Sequence, residues 1–137
     1  MAIAGLGTDI VEIARLGKGD GANERLAKRV LTPAEWQQFS EHSTPVRFLA
    51  KRFAAKEAVY KALSATPVRG LGWHDAEILK IASGAPILTL SSACKTALEA
   101  VTPEGYKATV NLSLSDEPPY AVAFVVFSAA PLNGLQI

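Results

Sequence analysis

The chain has little that marks a secreted, metal-clustered or membrane-spanning protein. Its 137 residues hold one cysteine, Cys94, so no internal disulfide is available and no cysteine cluster for a metal. A reducing, cytoplasmic setting is the simplest reading. Net charge is also scarce: 14 Lys and Arg oppose 13 Asp and Glu, a formal +1. That leaves no whole-chain footprint for nucleic acid or an acidic membrane. The apolar N-terminal stretch carries no basic leader, and Asp9 and Glu12 interrupt it too early for a signal peptide. The longest apolar run, Ala121 to Ala130, lies between Pro119 and Pro131. It is about half a membrane span and suits a buried strand. Repeats and low-complexity tracts are absent. What remains is 49% hydrophobic and 20% charged, which excludes disorder as the default state. The length fits one domain over residues 1–137. Such apolar content is high for a small monomer, so part of the surface is expected to face another subunit.

The charge that is present is unevenly placed. From Arg25 to Lys61 there are eight basic and three acidic residues, an excess of five; from Ala62 onward there are four basic and six acidic. A basic half in a neutral protein points to an anionic partner, against the plainer reading of solvated helix faces.

Periodicity and punctuation give an order of elements. A strand over residues 2–8 precedes a short helix over Ile10–Leu16 and a Gly-rich turn over Gly17–Gly21. A helix over Asn23–Val30 follows. Thr32-Pro33-Ala34-Glu35 has the capping-box pattern with Pro at the first helical position, which predicts a helix to about Glu41. Thr44-Pro45 starts the longest helix, Val46 to about Leu63. Strands over Glu77–Ala82 and Ile87–Ser91 flank Ser83-Gly-Ala-Pro86 as a hairpin, and Ser92–Val101 is a helix. Lys107–Ser115 alternates cleanly, with Ala108, Val110, Leu112 and Leu114 on one face; Asp116-Glu-Pro-Pro119 turns it into the strand Tyr120–Phe127. The fold class is α+β, a mainly antiparallel sheet with packed helices.

One carboxylate in the longest helix is out of place. Val46, Leu49, Ala50, Phe53 and Tyr60 form an apolar stripe, and Glu57 falls within about 40° of Val46, Ala50 and Phe53 on an ideal helix. A carboxylate out of water needs a cation or hydrogen bonds, and Lys61 is one turn on. The plainer reading is an ordinary i,i+4 surface pair worth about 0.2–0.5 kcal/mol. Asp9, at the end of an apolar strand behind Gly5-Leu-Gly7-Thr8, weighs toward a site. Two carboxylates from separate elements, with Arg52, Lys56 and Lys61 nearby in sequence, suit Mg²⁺ and phosphate. Other candidates are weaker. Gly5-x-Gly7 lacks the third glycine of a dinucleotide fingerprint, His42 and His74 lack ligand-spaced partners, and Cys94 sits in a helix with no evident basic pocket to activate it. The near-zero net charge argues against a nucleic-acid binder that uses the basic helices.

These segments resemble a known family. Gly5-Leu-Gly-Thr-Asp-Ile-Val-Glu-Ile13 is similar to the N-terminal signature of the holo-[acyl-carrier-protein] synthases, the short, single-module type of the 4′-phosphopantetheinyl transferase superfamily. Arg47 to Ala62 resembles their second signature, Phe-x-x-Lys-Glu-Ala-x-x-Lys. The likeness extends through Arg25–Thr32, Gly84-x-Pro86 and the terminal strands. It implies a Mg²⁺-dependent transferase that moves 4′-phosphopantetheine from coenzyme A to a serine of apo-acyl carrier protein, releasing adenosine 3′,5′-bisphosphate, in fatty acid biosynthesis and lipid metabolism. By motif, Asp9 and Glu57 are the Mg²⁺ ligands and, with Lys61, the catalytic residues. Arg52, Phe53, Lys61, Ser64 and Thr66 fall at coenzyme A positions, Arg52 near the 3′-phosphate. Arg15, Arg25 and Arg29 match positions that face the acidic carrier protein. A homotrimer with shared active sites is implied as well. The chain departs from the family at Ser64-Ala65-Thr66, where Gly-Thr-Gly is common, and at Asn111 and Ser115, where His is frequent. A catalytically silent coenzyme A or nucleotide-binding module is therefore the alternative.

Overall fold

The structure, a computed structural model, describes residues 1–18 and 21–132. In chain order the elements are β1 (Ala2–Glu12), a 3-10 turn (Ile13–Leu16), a short ladder of β2 (Gly17–Lys18) with β3 (Gly21–Ala22), α1 (Glu24–Val30), α2 (Pro33–Ser40), α3 (Pro45–Ala62), a second 3-10 turn (Trp73–Asp75), β4 (Ala76–Lys80), β5 (Pro86–Leu90), α4 (Ser92–Ala100), β6 (Tyr106–Glu117) and β7 (Tyr120–Pro131). The principal sheet is antiparallel in the order β1-β7-β6, and β4 pairs with β5 in a separate hairpin. This is the α+β, antiparallel class expected.

The central strand explains the sheet. On β7, Ala121, Ala123, Val125, Phe127 and Ala129 are buried, while the alternate residues Val122, Phe124, Val126 and Ser128 point to the opposite face. Pairing with β7 runs through Glu12↔Tyr120, and this corrects the helix expected over Ile10–Leu16. Residues 10–12 stay in the strand because β7 offers them ladder partners, and only Ile13–Leu16 turns helically. The Gly17–Gly21 turn becomes a two-pair ladder whose residues 19 and 20 lie outside the described residues.

Helix α3 lies across the inner face of β1 and β7. It is buried on several sides at once, through Phe48, Leu49, Ala50, Ala54, Ala55, Ala58, Val59 and Ala62. That corrects the single stripe read from periodicity: Val46, Phe53, Glu57 and Tyr60 lie at the half-buried margin. The capping box at α2 forms as expected, with Thr32 Oγ1 accepting from Glu35 N–H at 3.2 Å and Glu35 Oε1 accepting from Thr32 N–H at 2.9 Å.

Glu35 does more than cap. Its Oε1 also takes the Lys56 ammonium at 2.7 Å, and its Oε2 accepts the Ile78 N–H at 2.8 Å. Lys56 Nζ donates further to the Trp73 and Ala76 carbonyls at 2.7 and 2.9 Å. All three ammonium donors are thus used, and neither side chain is exposed at all. Stripping water from such ions costs several kcal/mol. Burial of Phe48, Leu49 and Val59 on the same helix, at about 1.5–3 kcal/mol each, is large enough to carry that penalty.

Candidate active site

Glycine brings the two signature segments together. A Cβ on Gly5 would sit 2.2 Å from the Ala62 carbonyl oxygen, and one on Gly7 1.9 Å from that of Ala58. Only residues without a side chain let α3 press so closely on β1. Side chains two apart on a strand share a face, so Asp9 follows Gly7 onto α3. There Asp9 Oδ1 accepts a hydrogen bond from Lys61 Nζ at 2.9 Å.

Lys61 therefore meets Asp9, and not the Glu57 partner suggested by i,i+4 spacing. Glu57 is half-buried one turn before Lys61 and makes no ion pair with the described residues. The described residues thus bring Asp9 and Lys61 together, with Glu57 one turn away on α3. Lys61 engages one Asp9 oxygen, and the described residues make no other side-chain hydrogen bond to either carboxylate. Such a donor set fits Mg²⁺, which takes one or two protein carboxylates and leaves its other positions to water and phosphate.

A second cationic patch lies around Arg52. Its Nε donates to the Ile78 carbonyl at 2.9 Å, and its guanidinium sits 4.1 Å over the Phe48 ring. Burial pushes its pKa down to about 10 against the opposing pull of Glu35. Arg52 lines a cavity of about 230 Å³ with Lys51, Lys80, Gly84, Pro86, Leu112, Ser113 and Leu114. Three cations converge there with the Gly84-x-Pro86 segment, an arrangement suited to an anion such as phosphate. Lys51 and Lys80 were not singled out by sequence. Their signal was only the basic run of α3 and a lysine ending β4. The same cations, after burial itself, depress the pKa of His42 nearby.

The remaining candidates divide. Phe53 is half-buried with its ring 5.1 Å from that of Trp73. Ser64 is exposed, whereas Thr66 is buried with its hydroxyl donating to the Ala97 carbonyl at 2.9 Å. The Thr66 side chain is thereby engaged in holding α4. Arg25 and Arg29 are exposed one turn apart on α1, and Arg15 is exposed on the first 3-10 turn. Arg52 and Glu57, five residues apart, lie about 140° apart around α3. The anion cavity and the carboxylate pair thus flank the helix on different sides.

Comparison with known proteins agrees with these segments. A family model described as the 4′-phosphopantetheinyl transferase superfamily matches residues 5–125. A holo-[acyl-carrier-protein] synthase of Alteromonas mediterranea is 61% identical over 126 residues, covering 92% of this chain and 97% of the relative. The crystal structure of the synthase from Neisseria meningitidis is 42% identical with a TM-score of 0.73, covering 92% of this chain and 98% of that one. The synthase of Bacillus anthracis, solved in complex with CoA (3′,5′-ADP), is 32% identical with a TM-score of 0.71, covering 93% and 97%. The chain belongs to the 4′-phosphopantetheinyl transferase superfamily and, within it, to the holo-[acyl-carrier-protein] synthases.

Proposed function

We propose that this chain transfers 4′-phosphopantetheine from coenzyme A to a serine of apo-acyl carrier protein with Asp9, Glu57 and Lys61 as the catalytic residues. The observation that carries the assignment is the Asp9–Lys61 contact, which unites two signatures 52 residues apart beside Glu57. Asp9 and Glu57 would hold Mg²⁺, which when bound supplies charge neutralisation and alignment at the pyrophosphate. The serine oxygen forms a bond to the phosphopantetheine phosphorus as the bond to the departing adenosine 3′,5′-bisphosphate breaks. Lys61 donates to the pyrophosphate oxygens and balances the charge that collects on the leaving group. The Asp9 carboxylate accepts the serine proton, directly or through an intervening water.

Arg52, with Lys51 and Lys80, holds the 3′-phosphate of coenzyme A, and Phe53 and Ser64 border the bound substrate. Arg15, Arg25 and Arg29 contact the acidic carrier protein. The Arg52 cavity and the carboxylate pair lie on different sides of α3, an arrangement that suits a coenzyme A shared between two copies. The outer sheet face supports that reading: Leu6 and Ile10 are 64% and 63% exposed, and Phe124 is 49% exposed beside them. A homotrimer of single-domain chains, each spanning residues 1–137, covers that face. The lone buried Cys94 fits a cytoplasmic enzyme, and the described helices include none long and apolar enough to cross a membrane.

The test is to incubate the protein with apo-carrier, coenzyme A and Mg²⁺ and weigh the carrier. A phosphopantetheine-sized gain is expected, and no gain would leave only a coenzyme A-binding module. Mixing Asp9→Ala with Arg52→Ala protein tests the shared site, since mixed oligomers regain activity only if one active site draws on two chains.

A further inference from the structure

The fully buried Lys56 stands immediately before Glu57 and is turned away from it by about 100°. Phe53, Lys56 and Tyr60 lie within about 60° of one another around α3 and grip one segment. The Phe53 ring packs on Trp73, Lys56 donates to the Trp73 and Ala76 carbonyls, and the Tyr60 hydroxyl donates to the Gly72 carbonyl. On the other flank, the backbone at Ala58 and Ala62 rests on Gly7 and Gly5. Glu57 sits between the two flanks, about 100° from Lys56 on one side and about 100° from Ala58 on the other. Side chains reach about 5–6 Å from a helix axis, so a rotation of about 10° moves a carboxylate by about 1 Å. A misplacement of that size costs about a hundredfold in rate where alignment matters.

We infer that Lys56 is a positioning residue: the buried Lys56–Glu35 pair sets the rotation of α3 and so holds Glu57 and Lys61 against Asp9. The inference rests on Asp9 and Glu57 being the metal-binding pair. Hydrogen bonds from one ammonium to Glu35, Trp73 and Ala76 fix a direction, whereas an apolar side chain of equal volume fills space but permits the helix to turn. An ion pair with a structural role alone would be replaceable without functional loss, since uncharged substitutes for buried pairs are often neutral or stabilising.

The experiment compares Lys56→Met/Glu35→Gln, which removes both charges and keeps an acceptor for backbone N–H, with the wild-type chain. Mn²⁺ binding to metal-free protein is read by electron paramagnetic resonance, turnover by carrier mass, and folding by thermal melting. At an unchanged melting temperature, Mn²⁺ affinity and turnover are each expected to fall about ten- to hundredfold, as for other residues that orient metal ligands. Adding Glu57→Gln to the double variant should then remove less Mn²⁺ affinity than it does from the wild type. If the double variant does not fold, Lys56→Leu/Glu35→Gln, which likewise removes both charges and every donor toward the two carbonyls, is measured instead. Wild-type affinity and turnover in a folded variant would overturn the inference alone. Wild-type protein whose Mn²⁺ binding is indifferent to Glu57→Gln would overturn the metal assignment and this inference together.

Discussion

Lys56 and Lys61 leave the same helix five residues apart and meet carboxylates at 2.7 and 2.9 Å, yet their circumstances are opposite. Lys56 and Glu35 are wholly buried, and every ammonium donor of Lys56 is engaged. Lys61 is 54% exposed and gives the described residues a single hydrogen bond, to an Asp9 that is 14% exposed. Ion-pair distance therefore says little about role. A saturated, dry ammonium stabilises one arrangement of four chain segments, whereas a half-exposed one retains donors for an anionic substrate. Burial also pushes the Lys56 pKa down, and the adjoining Glu35 is the chief group that counters it. The pair survives as a unit and fails when halved.

The contrast is most exposed to test at the catalytic end. Asp9→Ala should lower turnover by about 10²–10⁴-fold, the usual range for losing a positioned proton acceptor, with saturating Mg²⁺ and coenzyme A and the carrier weighed over time. Near-normal turnover would remove Asp9 from catalysis. At the buried end, Lys56→Met should reduce unfolding free energy in urea by about 3–5 kcal/mol, because it strands the Glu35 charge. Lys61→Met should cost less than about 1 kcal/mol of stability, as expected for a solvent-screened pair, while lowering turnover. Equal stability losses would erase the distinction between the two lysines.

Contact between α3 and β1 sharpens the comparison further. Gly7→Ala places a methyl group where the Ala58 carbonyl lies and should destabilise the fold by about 1–3 kcal/mol in urea. It should also depress turnover, since α3 must back away from Asp9. Gly72→Ala, whose Cβ would meet nothing nearer than 3.9 Å, should stay within about 0.5 kcal/mol of wild type.

The smallest effect concerns Asp75, beside the segment that Lys56 holds. The Gly72 N–H, and then the Ser91 hydroxyl, keep its carboxyl below the ordinary carboxylate value. On acidification the unfolded chain takes up this proton first, so the contribution is full above the ordinary Asp pKa and fades as pH falls through the lowered one. Asp75→Asn should accordingly be less stable than wild type at neutral pH, with the gap closing as pH falls below the ordinary Asp value. A constant gap would contradict it.

Local signals in the sequence were readable where local rules govern. Thr32-Pro-x-Glu35 announced α2, the alternation of Lys107–Ser115 announced β6, and Glu57 was identified as a carboxylate at odds with its neighbours. Ile10–Leu16 has no fixed structure of its own, and β7 holds its first three residues in the strand by supplying ladder partners. Nothing near Thr66 in sequence announces the Ala97 carbonyl 31 residues on that its hydroxyl meets. Glu35 was seen as a cap, and its second oxygen, which meets Ile78, was not.

By itself, then, the sequence determined the element types, the single cysteine and near-zero charge that narrow the functional classes, and the residues with the chemistry for metal and phosphate. Only the tertiary structure decided which of them meet. It paired Lys61 with Asp9 across 52 residues and Lys56 with Glu35 across 21, and it set the Arg52 cavity apart from the carboxylates. The physical reason is range. Helix and strand periodicities act over a few residues, whereas partners across the fold are chosen by how closely α3 can approach β1. Two glycines without side chains set that approach.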